Sequence, residues 1–127
     1  MGKGMERIIM STRYERWEIE LNDSLTAWKI FEALPLEREI NVWGGEFYFA
    51  IPVSAELENG KKIMDVGEVA FWPEGNALCF FFGPTPVSST KSPEAYSPVT
   101  LVGRVLGNIE ALSELSDKTS VTLERYE

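Results

Sequence analysis

The chain has 127 residues, 44% of them hydrophobic and 25% charged, with 12 basic and 20 acidic side chains and a net charge of −8. That length and balance fit one globular domain, residues 1–127, that buries its own core without a metal or a disulfide. The acidic body excludes nucleic acid and anionic membrane surfaces as partners, and its plainest use is solubility.

The elements follow in chain order. Arg7–Met10 is apolar and β-branched and predicts a strand. Residues 11–14 read as a turn, and Trp17–Leu21 alternates apolar with charged, the pattern of a half-buried strand. Asn22-Asp23-Ser24 supplies helix-capping side chains. Leu25, Trp28, Phe31 (or Ile30) and Leu34 then recur at helical spacing, and Pro35 stops the run. A helix is expected over 24–33. Residues 46–53 form the clearest strand, with Phe47, Phe49, Ile51 and Val53 on one face and Glu46, Tyr48, Ala50 and Pro52 on the other. Pro52 marks its end or an edge.

Glu58-Asn59-Gly60-Lys61 reads as a tight hairpin turn. Strands are expected at 68–72 and 78–82, separated by the turn residues Pro73-Glu74-Gly75-Asn76. Residues 83–98, rich in Pro, Ser and Thr, read as a long surface loop. A strand at 99–106, a short helix from Asn108 carrying Ile109, Leu112 and Leu115, and a last strand at 121–126 complete the chain. About eight short strands and two short helices predict a sandwich or a barrel, and periodicity does not separate the two.

The missing residues narrow the chemistry. With no His, neither a Ser-His-Asp nor a Cys-His arrangement can form, nor can a His-ligated zinc or iron site. The single Cys79 cannot form an internal disulfide or a thiolate cluster, and with Leu and Phe beside it, it reads as buried and unreactive. No calcium-loop pattern occurs, so no metal and no cofactor are expected. Met1–Met10 lacks the apolar run of a signal peptide, and no stretch of about 18 apolar residues exists. With its lone thiol the chain reads as cytoplasmic. Gln is absent and the acids are Glu except for Asp23, Asp65 and Asp117, a composition that suits a heat-adapted source.

Two stretches carry a family resemblance. Residues 99–112, VTLVGRVLGNIEAL, resemble the closing strand and helix of cyclophilins, and residues 26–34, TAWKIFEAL, are similar to their first helix. A closer resemblance is to small prokaryotic cyclophilin-like proteins of uncharacterised function, through residues 41–49, NVWGGEFYF, with Pro52-Val53, and residues 66–86. The resemblance spans nearly the whole chain and implies a mainly β fold, a closed eight-stranded barrel with two short α-helices. Cyclophilins place a catalytic Arg after the first helix. The matching stretch here, about Ile40–Trp43, has none, and Arg38 lies outside the motif. Their active-site Gln and His are residue types that this chain lacks, and Ala77–Phe82 replaces another of their active-site segments. The usual prolyl isomerase mechanism is thereby left without its residues.

Strand alternation turns Glu46, Tyr48, Glu68 and Trp72 outward and Val69 and Phe71 inward, and Phe80-Phe81-Phe82 places at least one ring outside. Cyclophilins bind ligands on the outer barrel face, so the resemblance points to the same place here. The candidate ligand-binding residues are Trp43, Glu46, Tyr48, Trp72, Asn76, Phe81 and Thr85, with no catalytic residue among them. Alternatively, these aromatics lie beneath loop 83–98 or a helix end. Gly44-Gly45 reads as a turn or bulge rather than a phosphate cradle, and Gly83–Pro86 as a rigid loop rather than a polyproline ligand. Glu46 is the site's ionisable group, and aromatic walls would raise its pKa. Glu46→Gln is expected to leave the fold intact, changing stability by less than about 0.5 kcal/mol, and to weaken ligand binding; the alternative is a solvated strand-start residue. The expected function is a non-catalytic module binding a small molecule or an extended peptide. The alternatives are an isomerase acting through desolvation with Trp and Tyr donors, and a homodimer that hides the aromatics.

Overall fold

The computed structural model describes residues 6–126, so Met1–Met5 and Glu127 of the expected domain lie outside the described residues. Ten strands are present among the described residues: β1 (Arg7–Ser11), β2 (Arg16–Leu21), β3 (Leu36–Glu39), β4 (Asn41–Trp43), β5 (Glu46–Ala50), β6 (Lys61–Ile63), β7 (Glu68–Trp72), β8 (Ala77–Phe81), β9 (Glu94–Leu106) and β10 (Ser120–Arg125). One α-helix, α1 (Leu25–Ala33), follows β2. The second expected helix is a 3₁₀ segment, Ile109–Glu114, with Asn108 accepting from the Ala111 amide. Pro73–Gly75 forms a further 3₁₀ turn, closed by Asn76 in the left-handed region (φ 48°).

The strands pair in the order β3-β10-β1-β2-β9-β7-β8-β5-β4, and β6 pairs with β9. This corrects the expected closed eight-stranded barrel. The two end strands, β3 and β4, are neighbours in sequence, yet β3 pairs with β10 and β4 with β5. The sheet wraps round until its ends meet at Ile40, which is fully buried. The Ile40 amide donates to the Thr119 carbonyl (3.0 Å), and the Ile40 carbonyl accepts from the Lys118 amide (2.8 Å). The Arg38 guanidinium ties β3 to the end of β5 by donating to the Ala50 carbonyl at 2.9 Å. A side chain and a covalent corner therefore stand where a hydrogen-bonded ladder would close the sheet.

The wrapped sheet encloses one main core, to which β1, β2, α1, β5, β7, β8, β9 and β10 all contribute. Phe47, Phe49, Val69 and Phe71 point into it, as the alternation predicts. On α1 the buried stripe is Thr26, Ala27 and Ile30, with Leu34 just beyond. Leu25 is 56% exposed, so the helix faces the core one residue round from the expected stripe. Ser24 caps α1, its hydroxyl accepting from the Ala27 amide at 3.0 Å. Glu58 adds a second cap: its carboxylate accepts from the Thr26 amide (2.8 Å), the Leu25 amide (3.3 Å) and the Thr26 hydroxyl. These hydrogen bonds hold the Glu58 carboxyl below its usual range.

Two loop expectations change. The turn at Asn59 (φ 47°) leads into β6, which pairs with β9 and forms no hairpin with the preceding segment. The loop expected at 83–98 ends early, because β9 begins at Glu94 and runs 13 residues through Pro98. Its far half pairs with β2 and β7, with a register shift between Val69 and Ala70 of β7. Its near half crosses the outer face of the sheet. There a second core forms from Met64, Ala70, Cys79, Phe81, Ala95 and Val99, flanked by Tyr48, Trp72 and Leu101. No helix among the described residues is long and apolar enough to cross a membrane.

Candidate functional site

The second core is incomplete at one end, and a cavity of about 280 Å³ opens there between β4, β5, β7, β8 and β9. The β4–β5 hairpin sets its first wall. Gly44, at φ +57°, opens the two-residue turn, and Trp43 stands directly opposite Glu46 in register. Gly45 admits no side chain, since a Cβ there would lie 2.1 Å from the Gly83 carbonyl carbon and oxygen. The approach is held by the Gly45 amide donating to the Pro84 carbonyl (2.8 Å) and the Gly45 carbonyl accepting from the Phe82 amide (2.7 Å). The hairpin is thus pinned to the loop after β8.

Glu46 and Tyr48 project from β5 onto the outer face. Cys79 of β8 lies directly opposite Tyr48 and diagonal to Glu46. Trp72 ends β7. Its indole N–H donates to the Ser97 hydroxyl at 2.7 Å, and its ring lies against Gly75, where a Cβ would come within 2.5 Å of ring carbons. Tyr96 of β9 stands nearly perpendicular to both tryptophans, with centroids 6.5 Å from Trp43 and 6.2 Å from Trp72. Tyr96 is 67% exposed and forms the rim. Ala95, Val99 and Cys79 complete the lining.

Glu46 is the chemical centre of this cavity. It is 5% exposed. The ion pairs among the described residues are Arg7–Glu18, Lys61–Glu68 and Lys62–Glu94, and none includes Glu46. Burial pushes its carboxyl up from 4.5 to about 7, and the neighbouring Cys79 thiol offsets part of that rise. Burial, then the Glu46 charge and hydrogen bond, drives the Cys79 thiol well above its ordinary range. The thiol is therefore a poor nucleophile. Buried and unpaired, Glu46 does not fit the description of a solvated strand-start residue, and the small stability effect expected for its replacement does not apply.

Trp43, Glu46, Tyr48 and Trp72 of the sequence candidates line the cavity together. Asn76, Phe81 and Thr85 do not. Asn76 caps the 3₁₀ turn, its amide donating to the Pro73 carbonyl at 3.3 Å. Phe81 faces outward, as one ring of the triplet must, but is sealed in the second core at 1% exposure. Thr85 is buried and pins the loop: its amide donates to the Ser88 hydroxyl and its own hydroxyl to the Glu94 carbonyl. Tyr96, Ala95 and Val99 were hidden in or beside a segment read as loop. Cys79 was within reach, because alternation along β8 puts it on the face of Tyr48. Arg38, whose guanidinium donates to the Ala50 and Glu37 carbonyls, lines no part of this cavity. No group of three or more His, Cys, Asp and Glu able to hold a metal occurs among the described residues.

A wrapped β-sheet around one core, with an aromatic cavity on its outer face, defines a small β-barrel-like domain. The chain matches the family described as Cyclophilin-like over residues 6–124 and belongs to that family. It is similar to the solution structure of a hypothetical protein from Archaeoglobus fulgidus. The TM-score is 0.82 and the identity 37%, over 99% of this chain and 100% of that one. None of the curated proteins matches the chain.

Proposed function

We propose that this chain is a binding module that holds a small molecule in the outer-face cavity. The observation that carries this reading is the placement of one buried, unpaired carboxylate, Glu46, among Trp43, Tyr48, Trp72 and Tyr96. A carboxylate without a cationic partner is costly to bury, and a folded chain keeps such a group where it has a use. A volume of about 280 Å³ lies at the lower end of ligand pockets and suits a compact molecule better than an extended peptide. The lining offers a single carboxylate, phenols and a protonated thiol, a set better suited to holding a ligand than to cleaving one. A metabolite screen by thermal shift, followed by NMR, tests the reading. A ligand should raise the melting temperature and move resonances of Glu46, Tyr48 and Trp72. Ligands that move only other surfaces would remove the cavity from consideration. A protease-coupled prolyl isomerisation assay should show no rate enhancement, whereas an enhancement abolished by Trp72→Ala would favour the enzyme.

A further inference from the structure

We infer that the ligand is a small organic cation whose alkylated ammonium head sits between Trp43, Trp72 and Tyr96, with Glu46 as its counter-charge. The inference rests on the binding reading above and specifies its ligand class. Three observations support it. First, Tyr96 stands nearly perpendicular to both tryptophans, at 76° and 83°, so the three rings present walls of different orientation to one space. Aromatic faces carry negative quadrupole potential, and boxes of this kind hold quaternary ammonium groups. Second, Trp72 is fixed by the Ser97 hydroxyl and by Gly75, so the wall is in place before a ligand arrives. Third, among the described residues no Lys or Arg lines the cavity, while a carboxylate does. An anionic ligand would meet uncompensated repulsion there, and a cation would meet a desolvated charge of opposite sign.

Proton linkage follows from the same geometry. The titratable groups of the lining are Glu46 and Tyr48 on β5, Cys79 on β8 and Tyr96 on β9, while β4 and β7 contribute only the neutral Trp43 and Trp72. Glu46 is the only carboxylate among them. A cation binds the ionised form, so binding expels the Glu46 proton below neutral pH, and affinity rises with pH until that carboxyl is fully ionised. A neutral ligand that accepts a hydrogen bond from protonated Glu46 would show the opposite slope.

The test compares choline with 3,3-dimethylbutan-1-ol, which has the same shape without the charge, by tryptophan fluorescence and NMR at pH 6 and pH 8. Choline is expected to bind, and the neutral alcohol to bind at least about tenfold more weakly. Choline affinity should fall roughly tenfold from pH 8 to pH 6, because only about a tenth of Glu46 is then ionised. In Glu46→Gln the affinity should be low and flat with pH. Trp43→Leu, a change at the half-exposed hairpin end, should weaken choline without altering the pH slope. Acetyl-trimethyllysine amide serves as a second cationic probe: tighter binding than choline would assign the source to a modified side chain, weaker binding to a free metabolite. Equal binding of choline and its neutral isostere, or affinity that falls as pH rises, would overturn the cation and leave the binding reading intact. Absence of any Trp43 or Trp72 response to both cations and to a neutral metabolite panel would remove both.

Discussion

Glu46→Gln should stabilise the protein at alkaline pH. In the unfolded chain Glu46 titrates at 4.5, and in the folded chain burial raises it to about 7. The folded form thus holds its proton more tightly than the unfolded form. Below pH 4.5 both states are protonated and the group has no effect. Between 4.5 and about 7 the unfolded state ionises first, and stability is lost as pH rises. Above about 7 the whole penalty is present. At about 1.4 kcal/mol per pH unit, the difference between 4.5 and about 7 amounts to about 3 kcal/mol. Gln keeps the size and polarity of protonated Glu and cannot ionise. The stability difference between Glu46→Gln and the parent should therefore grow from a constant value near pH 4.5 to about 3 kcal/mol more by pH 8. Urea titrations at half-unit pH intervals, with matched m-values, measure it. All other carboxylates contribute equally to both proteins and cancel. Parallel stability curves for the two proteins between pH 4.5 and 8 would refute the buried, unpaired carboxylate.

Three further outcomes follow from packing. Gly45→Ala should cost roughly 2–4 kcal/mol, since its Cβ meets the Gly83 backbone at 2.1 Å and neither chain can yield freely; chemical denaturation checks it. Glu58→Ala should lower stability by about 1 kcal/mol through loss of the α1 amide contacts, and this contribution should fade as acid protonates Glu58, because its carboxyl lies below the usual range. Cys79 should resist alkylation by iodoacetamide in the native protein and react at once in urea, as followed by mass spectrometry; rapid native labelling would mean that the outer-face core opens.

Much of the inside-outside pattern was legible because β5 and β7 alternate, and Phe47, Phe49, Val69 and Phe71 all face the main core, whereas the uniformly apolar β8 gave no such signal. The same alternation brought Glu46, Tyr48 and Trp72 to one place, and Trp43 joined them as the residue flanking Gly44-Gly45. What stayed hidden lies where local chemistry opposes tertiary structure. β3 reads Leu-Glu-Arg-Glu and β6 reads Lys-Lys-Ile, sequences too charged to announce a strand, and both take their place through edge pairing with a longer neighbour. The start of β9 contains Ser97 and Pro98 and reads as loop, yet Ala95 and Val99 keep it seated on the outer face. That one reassignment decides the site. It turns a groove open to solvent into a walled cavity, adds Tyr96 as a third ring, and removes Phe81 and Thr85 by burying them. On α1, two apolar stripes overlap, and Thr26, satisfied by Glu58, takes the buried position expected of Leu25.

The most direct test follows the indole N–H signals of the four tryptophans in a ¹⁵N-labelled sample during a choline titration at pH 8. Trp43 and Trp72 line the cavity, whereas the Trp17 indole donates to the Asn108 carbonyl at 2.8 Å and Trp28 stacks on Phe31. The Trp43 and Trp72 signals should shift together along one saturating curve while those of Trp17 and Trp28 hold still. Movement of Trp28 or Trp17 with Trp43 and Trp72 unchanged would contradict the outer-face cavity as the binding site.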